Sequence, residues 1–317
     1  MKRSFRLTPR TASGLALVVI TAVSIWICHL LVFAPMPGGA ATWQFHNLLF
    51  DSHERLHYVI RLSELHDALI HGQWIVRWCT NLEGGYGYPF FGFYAPLSYY
   101  LAEVWHLAGL DLFLAWKAHF LLMTWLSGVA VYLFTRLFHG WLASKVSALL
   151  YLLAPYHILN LYVRGNVAEF TAMTVLPWLL FFTQRLVLGR GRDVVNRWGT
   201  ALSAAALILT HNLTAFFGGL FVALWCALWF FGRRQSFPLV SVIQAGTAGV
   251  LISAFFWLPM LADMKYTRFE VMDHTFRAAP AHTVVWRQYF SRDWGFGDSV
   301  PGTDDRMSFA IGWTQWL

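Results

Sequence analysis

Carboxylates and imidazoles suited to acid–base chemistry concentrate between residues 50 and 101. Asp51 begins this stretch, and its carboxylate can act as a general base toward an acceptor hydroxyl or as a metal ligand. An ordinary solvated acid explains Asp51 equally well when it is considered alone. Glu54 and His57 follow three and six residues later, so a helix beginning near Ser52 places them on one face close to Asp51. This spacing favours a functional role for the group.

A second polar group lies at residues 162–169, where Arg164 and Glu169 flank Gly165. Glycine permits a tight backbone turn between the two charged residues. Ionisable residues at a membrane edge are costly and therefore indicate function. The alternative is a structural Arg164–Glu169 ion pair that holds the loop in place.

Further candidates for substrate binding are isolated polar and aromatic residues. His211 and Asn212 interrupt a long apolar region, where they either contact substrate or cap a helix end and hydrogen-bond to neighbouring helices. Arg77 is a candidate for phosphate contact, and Tyr86 and Tyr88 are candidates for sugar stacking. The alternative for the two tyrosines is anchoring at the membrane interface, which is the common use of aromatic residues at that depth.

The composition is that of a membrane protein. Of the 317 residues, 57% are hydrophobic and 12% are charged, whereas a soluble domain has roughly 25% charged residues. The net charge of +7 is distributed over short loops between apolar runs, a pattern that orients spans, so we expect no nucleic-acid partner. Cys28, Cys79 and Cys226 lack metal-ligand spacing and predict neither a disulfide framework nor a cysteine metal site.

The apolar runs predict an all-α multi-pass membrane protein with about seven transmembrane helices. Residues 53–70 and 97–109 are predicted as interfacial helices in the first outer loop, because the former carries too many charges and the latter is short. The polar face of the first interfacial helix offers His57 and Arg61 as substrate contacts. The predicted spans cover residues 15–34, 114–135, 146–160, 168–184, 200–231 as two helices that meet at His211-Asn212, and 238–259.

Basic residues predict the orientation in the membrane. Four basic residues and no acid precede the first span, which places the N-terminus in the cytosol and residues 35–113 outside. We therefore expect a cytoplasmic (inner) membrane protein whose active face is periplasmic or extracellular. Residues 1–259 form the predicted transmembrane module. Residues 260–317 form a polar and aromatic outer segment, which we expect to continue in a longer parent protein.

Two stretches, together with Asp51, resemble a known family. Residues 77–101 read RWCTNLEGGYGYPFFGFYAPLSYYL, and residues 154–170 read APYHILNLYVRGNVAEF, with LTHNLTA further along the chain. Together with the order of spans and outer loops, these stretches resemble the conserved module of the GT-C glycosyltransferases. Within that superfamily they are similar to the membrane proteins named 6-pyruvoyl-tetrahydropterin synthase related.

The spacing Pro155…Arg164-Gly165…Glu169 is also similar to the second outer loop of oligosaccharyltransferase catalytic subunits. In those subunits an acidic pair follows the arginine and the glycine. Here Glu169 is the single acid, and Asn166 stands between. A metal site of the kind in those subunits would need both acids, so this difference argues against such a site here.

The resemblance implies transfer of a sugar from a polyprenyl-phosphate donor at the outer membrane face, with membrane lipid around the donor. Asp51 would accept the proton of the acceptor hydroxyl, with Glu54 as a second catalytic carboxylate. Arg164, Arg77 or a divalent ion (Mg²⁺ or Mn²⁺) would stabilise the leaving phosphate. Asp51 and Glu169 would hold that ion, or Glu169 would orient Arg164. The alternative is a non-catalytic membrane protein that binds or translocates a glycolipid or polymer.

Overall fold

The computed structural model describes residues 8–35, 43–45, 51–190, 192–232, 237–267, 283–291, 300–305, 307–310 and 312. Regular structure in these ranges is helical, apart from two short antiparallel strands, β1 (Phe33–Pro35) and β2 (Trp43–Phe45). Much of the predicted outer segment 260–317 lies outside the described residues, as do the first seven residues of the chain.

The described ranges contain twelve α-helices. In chain order they are α1 (Pro9–Cys28), α2 (Arg55–Ile70), α3 (Phe90–Phe93), α4 (Leu97–Leu107), α5 (Leu112–Thr135), α6 (Trp141–Leu152), α7 (Pro155–Leu159), α8 (Val167–Val187), α9 (Asp193–Thr210), α10 (Asn212–Gly232), α11 (Leu239–Ile252) and α12 (Ala254–Asp263). Four 3₁₀ turns lie at His29–Leu31, Glu83–Gly85, Met264–Tyr266 and Trp286–Tyr289, and a π-helical turn lies at Asn160–Arg164.

Four helices are long and apolar enough to cross a membrane. They are α1 with its 3₁₀ extension (Thr11–Leu31), α5, α8 and α10. Two bent pairs would raise the number to six, namely α6 with Pro155–Arg164, bent by 43°, and α11 with Ala254–Tyr266, bent by 61°. The described residues therefore contain four to six candidate spans. The fifth predicted span, the first half of residues 200–231, corresponds to α9, which carries the charged residues Asp193 and Arg197 in its first half and does not meet this standard.

The bend between α6 and α7 has a local cause. Pro155 lacks a backbone N–H and disfavours the helical conformation in the residue before it. Ala154 accordingly has an extended backbone, with φ −59° and ψ 134°. The chain resumes as α7 and then passes through the π-helical turn, so the polypeptide changes direction just before the residues of the second polar group.

Helices α2 and α4 differ from the spans in length and charge. Helix α4 has 11 residues and is about 16 Å long, about half of the hydrocarbon thickness. Helix α2 begins at Arg55, three residues later than the predicted start near Ser52, so Asp51 precedes the helix and Glu54 is its N-cap. Both helices pack against α5.

Stacked aromatic rings join α2, α4 and α5. Tyr58 of α2 stacks on Tyr99 of α4, with ring centroids 4.6 Å apart, and on Trp116 of α5, at 6.0 Å. Phe120 of α5 meets Phe170 of α8 edge to face at 5.1 Å. These rings are buried, and Trp116 also contacts Phe120 at 5.6 Å, so a continuous series of rings through α5 connects the start of α2 to the start of α8.

Helices α8 and α10 have opposite surroundings. The apolar window of α8 is 67% buried, whereas that of α10 is 6% buried. Leu213, Phe217 and Phe221 of α10 are exposed, as expected of a helix that faces lipid in a membrane protein. The contrast places α10 at the rim of the helical assembly, beside the buried α8.

Candidate functional site

The second polar group is folded by a turn between two helices. The π-helical turn ends at Arg164, and Gly165 takes the left-handed conformation with φ 61°. Helix α8 then starts with Asn166 as N-cap, whose side-chain oxygen accepts from the backbone N–H of Glu169 at 2.9 Å. The turn brings the Arg164 guanidinium to 2.5 Å from the Glu169 carboxylate. The Arg164–Glu169 ion pair that the structural alternative described is therefore present in the fold.

Tyr156 completes this ion pair and was not among the residues selected from the sequence. Its hydroxyl donates to Glu169 Oε1 at 2.5 Å and accepts from Arg164 Nη1 at 2.7 Å. The three side chains thus form a closed hydrogen-bonded triangle. Tyr156 follows Pro155 in the quoted stretch, and this placement was the available signal for it.

Residues 51–54, which carry Asp51 and Glu54 of the first polar group, lie directly against this turn. The backbone N–H of His53 donates to the carbonyl of Val163, and that of Glu54 donates to the carbonyl of Arg164, both at 3.0 Å. The approach requires a glycine, because a Cβ at Gly165 would lie 2.4 Å from Ser52 Oγ. Two segments more than 100 residues apart in sequence are therefore joined through their backbones.

Asp51 lies at the exposed edge of this junction. Its carboxylate is 2.5 Å from the Arg55 guanidinium, and its side chain is 78% exposed. Ser52, the next residue, is buried against Gly165. Asp51 is thus one residue from the contact with the second polar group, and its carboxylate faces solvent.

Glu54 belongs to a more enclosed set of charges. Its carboxylate is 3.4 Å from Arg61, whose guanidinium lies over the Phe90 ring at 4.3 Å and near the Tyr94 ring at 5.8 Å. Burial, followed by the negative charge of Glu54, raises the pKa of Tyr94 to about 12, although Arg61 and Arg164 oppose the shift. Tyr94 therefore stays protonated at neutral pH, and its ring lies beside the Arg61 guanidinium that pairs with Glu54.

A cavity of about 560 Å³ opens beside the triangle. Its polar end comprises Tyr156, Arg164, Glu169, His211 and Thr214, and its apolar end comprises Leu176, Leu213, Phe217, Gly218 and Phe221. The cavity thus runs from charged groups at the start of α8 to the exposed apolar side of α10. Such a shape suits an amphipathic ligand with a charged head and an apolar tail.

His211 and Asn212 mark the break between α9 and α10. The His211 ring nitrogen Nδ1 is 2.8 Å from the Thr214 hydroxyl, and burial lowers the pKa of His211. Asn212 donates to the carbonyl of Phe93 at 3.1 Å. The predicted break is therefore present, with His211 lining the cavity and Asn212 tying α10 to α3.

The remaining candidates lie away from the lining of this cavity. His57 is exposed on α2, and Tyr86 and Tyr88 are 90% and 48% exposed. The Arg77 guanidinium donates to the carbonyl of Phe255 at 2.8 Å. Arg77 thus connects its loop to α12, whereas Arg164 is the arginine that lines the cavity.

The donor set around the predicted metal ligands does not suit a divalent ion. Among the described residues, no three His, Cys, Asp or Glu side chains converge as a metal site would require. Arg164 and Tyr156 already hold the Glu169 oxygens, and Asp51 pairs with Arg55. We therefore assign no step to an ion held by Asp51 and Glu169.

Comparison with known proteins identifies a family. A family model described as "6-pyruvoyl-tetrahydropterin synthase related domain; membrane protein" matches residues 91–279, more than half of the chain. An uncharacterised protein of Lactococcus lactis subsp. cremoris (strain MG1363) is 24% identical over 245 residues, covering 74% of this chain and 39% of that relative. The chain thus aligns with less than half of the relative's length. No solved structure matches it.

Proposed function

The chain belongs to the membrane proteins of the 6-pyruvoyl-tetrahydropterin synthase related family, and we propose that it is a glycosyltransferase of the GT-C type. In this proposal it transfers a sugar from a polyprenyl-phosphate donor to an acceptor at the outer face of the cytoplasmic membrane. The observation that carries the proposal is the cavity that joins Arg164 to the exposed apolar side of α10. A charged end and a lipid-facing end in one cavity match a lipid-linked phosphate.

The donor lies along the cavity in the direction set by its polarity. Its prenyl chain contacts Leu213, Phe217 and Phe221, which are 66%, 64% and 49% exposed on α10. Its phosphate lies at the opposite end, next to Arg164. This arrangement keeps the prenyl chain in the membrane and places the bond between sugar and phosphate at the membrane surface.

Arg164 supports the departure of the phosphate. Negative charge on the phosphate grows as its bond to the sugar breaks, and a guanidinium already in place stabilises that charge without reorganising. Glu169 and Tyr156 hold the guanidinium at 2.5 Å and 2.7 Å. Their function in the proposal is to orient Arg164.

Asp51 activates the acceptor. Its carboxylate takes the proton of an acceptor hydroxyl, and the hydroxyl oxygen attacks the anomeric carbon. The carbon–oxygen bond to the phosphate breaks, and the phosphate leaves with the electron pair. A single displacement of this kind inverts the anomeric configuration. Glu54, paired with Arg61, is the second carboxylate available if Asp51 is replaced.

An exchange of charges tests the role of Arg164. The double variant Arg164→Glu/Glu169→Arg keeps the pair but puts a carboxylate where the phosphate develops charge. We expect turnover of synthetic polyprenyl-phosphate sugars in nanodiscs to fall at least about 100-fold, with donor binding reduced much less. The matched control exchanges Asp193 and Arg197, an exposed ion pair at 2.6 Å on α9.

The outcomes separate enzyme from non-catalytic binding protein. Full turnover in the Arg164/Glu169 exchange variant would return this ion pair to a purely structural role. A wild-type protein that binds the donors but never transfers their sugar, with every acceptor tried, would favour the glycolipid-binding alternative. Equal losses in the two exchange variants would indicate a general effect on folding.

Cysteine labelling tests the proposed orientation. Glu83 and Arg192 are both exposed, and they lie in loops that the basic-residue pattern places on opposite sides of the membrane. In a Cys226→Ser background, Glu83→Cys should react with an impermeant maleimide in intact cells, and Arg192→Cys should react only after lysis. The reverse pattern would invert the topology.

A further inference from the structure

Residues 77–92 form a hairpin that does not line the cavity. The backbone N–H of Cys79 donates to the carbonyl of Tyr88 at 2.8 Å, and the N–H of Tyr88 donates back at 2.9 Å. The N–H of Gly92 donates to the carbonyl of Arg77 at 3.2 Å. Cys79 is buried, and the N–H of Asn81 donates to a Glu64 carboxylate oxygen of α2 at 3.0 Å. The hairpin is therefore anchored at its base and along one side.

The tip of the hairpin has a fixed backbone shape. Glu83, Gly84, Gly85 and Gly87 have positive φ angles of 53°, 67°, 89° and 81°. Among the described residues, Glu83 is the single non-glycine with positive φ. Such a conformation costs about 1 kcal/mol or more and persists where the surrounding structure holds it. The backbone that carries the side chains of this tip thus has one defined shape.

Three aromatic rings, Trp78, Tyr86 and Tyr88, lie on this hairpin, and we call them the aromatic platform. Their exposed fractions are 48%, 90% and 48%. The Trp78 indole rests on the backbone of Gly87, where an added Cβ would lie 2.2 Å from Nε1. The platform therefore combines rings open to a ligand with a support that fixes the position of at least one of them.

Polar side chains stand between the rings. Thr80, Asn81 and Glu83 are exposed on the same hairpin. Aromatic faces attract the polarised C–H groups of a pyranose ring, and hydroxyl, amide and carboxylate groups hydrogen-bond to sugar hydroxyls. An exposed carboxylate at the tip is unfavourable near anionic lipid headgroups. The chemistry of the platform thus fits a carbohydrate better than a lipid surface.

The hairpin that carries the platform is connected to the Glu54–Arg61 pair and to two helices, α10 and α12. The hairpin leads into α3, where Arg61 lies over the Phe90 ring and Asn212 of α10 holds the Phe93 carbonyl. At its other end, Arg77 donates to the Phe255 carbonyl of α12. A ligand on the platform would therefore lie on a segment whose other end contacts Arg61 of the Glu54–Arg61 pair.

We propose that the aromatic platform binds a carbohydrate chain and that this chain is the acceptor of the transfer. The second clause rests on the proposed function, whereas carbohydrate binding itself does not. The platform would stack against sugar rings behind the reacting hydroxyl and so direct the end of the chain toward Asp51. The acceptor class assigned by this proposal is an oligosaccharide or a glycan polymer of the cell envelope.

Binding of soluble hexasaccharides tests the platform directly. The probes are linear hexasaccharides of glucose, mannose, galactose and N-acetylglucosamine, added to the full chain in nanodiscs and followed by saturation-transfer NMR. We expect at least one probe to bind, with a Kd that rises at least tenfold in Tyr86→Ala and in Trp78→Ala. Trp78→Tyr, which keeps a ring, should recover much of the affinity. Trp74→Ala is the matched control, because Trp74 is 78% exposed but lies outside the hairpin.

The contrary results are equally specific. Failure of all four probes to bind, or an equal loss in Trp74→Ala, would overturn the proposal. An environment-sensitive dye on Tyr86→Cys that is quenched by nitroxide lipids would assign the platform to the membrane surface. Probe binding without any sugar transfer would leave the platform intact and remove the proposed function. Transfer with an acceptor KM unchanged in Tyr86→Ala and Trp78→Ala would support the proposed function and remove the platform as the acceptor site.

Discussion

Two ion pairs lie on either side of the junction between the two polar groups. In each, a guanidinium nitrogen lies 2.5 Å from a carboxylate oxygen. Asp51 and Arg55 are four residues apart in sequence, and their side chains are 78% and 38% exposed. In the Arg164–Glu169 pair the side chains are 31% and 13% exposed. The surroundings, not the distance, distinguish the two pairs.

The difference in surroundings has an energetic consequence. An exposed pair contributes at most about 1 kcal/mol to stability, because water screens it and two flexible side chains must be ordered. The Arg164–Glu169 pair also receives the Tyr156 hydroxyl, and the backbone of Glu169 is capped by Asn166. Charged hydrogen bonds in such a network are stronger than isolated exposed ones. Stability should therefore depend on the second pair far more than on the first.

The largest effect should come from the glycine that joins the two regions. Gly165→Ala must adopt φ 61° and place its Cβ 2.4 Å from Ser52 Oγ. The backbone strain and the overpacking together should lower the free energy of unfolding by about 2–4 kcal/mol. Thermal unfolding in detergent measures this loss.

Gly84 supplies the matched control for this variant. It has a similar φ of 67°, but nothing lies within 4 Å of an added Cβ. Gly84→Ala should therefore cost only about 1–2 kcal/mol, from the backbone conformation alone. Equal losses in the two variants would show that the contact with Ser52 is unimportant and that the regions are joined otherwise.

A double-mutant cycle on each ion pair should give the next largest difference. For Arg164→Met and Glu169→Gln we expect a coupling of about 1–2 kcal/mol, because each single change leaves a partly buried charge unpaired. For Arg55→Met and Asp51→Asn we expect under about 0.5 kcal/mol. Urea or thermal unfolding of the four variants and two double variants measures both couplings. Similar values would mean that burial does not distinguish the pairs.

The sequence predicted the local parts of this comparison. The Arg164–Glu169 ion pair, which was the structural alternative for that loop, depends on a short turn at a glycine, and the break at His211 depends on polar residues within an apolar run. In both cases the residues that determine the feature lie within a few residues of it in sequence. The all-helical membrane class also followed from composition and apolar runs, and the family match supports the membrane assignment.

The contacts between segments that are distant in sequence could not be predicted from the sequence pattern. Tyr156 joins the ion pair across a π-helical turn that its neighbours do not predict. The contact of Ser52 with Gly165 depends on how α2 packs against α4 and α5. We predicted seven spans, and the described residues contain four to six candidates, because α9 combines charged and apolar residues and two of the other predicted spans are bent helix pairs.

Removal of one hydroxyl tests the network around the second pair. Tyr156→Phe loses the donor to Glu169 and the acceptor for Arg164 while keeping the ring. We expect a loss of about 1 kcal/mol in stability and a drop in turnover without a matching rise in donor KM. Tyr162→Phe is a comparable control, since its hydroxyl bonds to the Ile27 carbonyl away from the cavity. A drop in turnover as large in Tyr162→Phe would count against a positioning role for Tyr156.

Asp51→Asn should have the smallest effect on stability and so separates structure from chemistry most sharply. The side chain is 78% exposed, and loss of its charge should change the free energy of unfolding by under about 0.5 kcal/mol. If Asp51 is the general base, however, turnover should fall about 100-fold or more, because asparagine cannot take the proton. Membrane insertion and donor binding should match the wild type. Glu54→Gln provides the comparison, because Glu54 is more enclosed and pairs with Arg61. A normal rate in Asp51→Asn together with a lost rate in Glu54→Gln would move the base from the exposed edge of the junction to its interior.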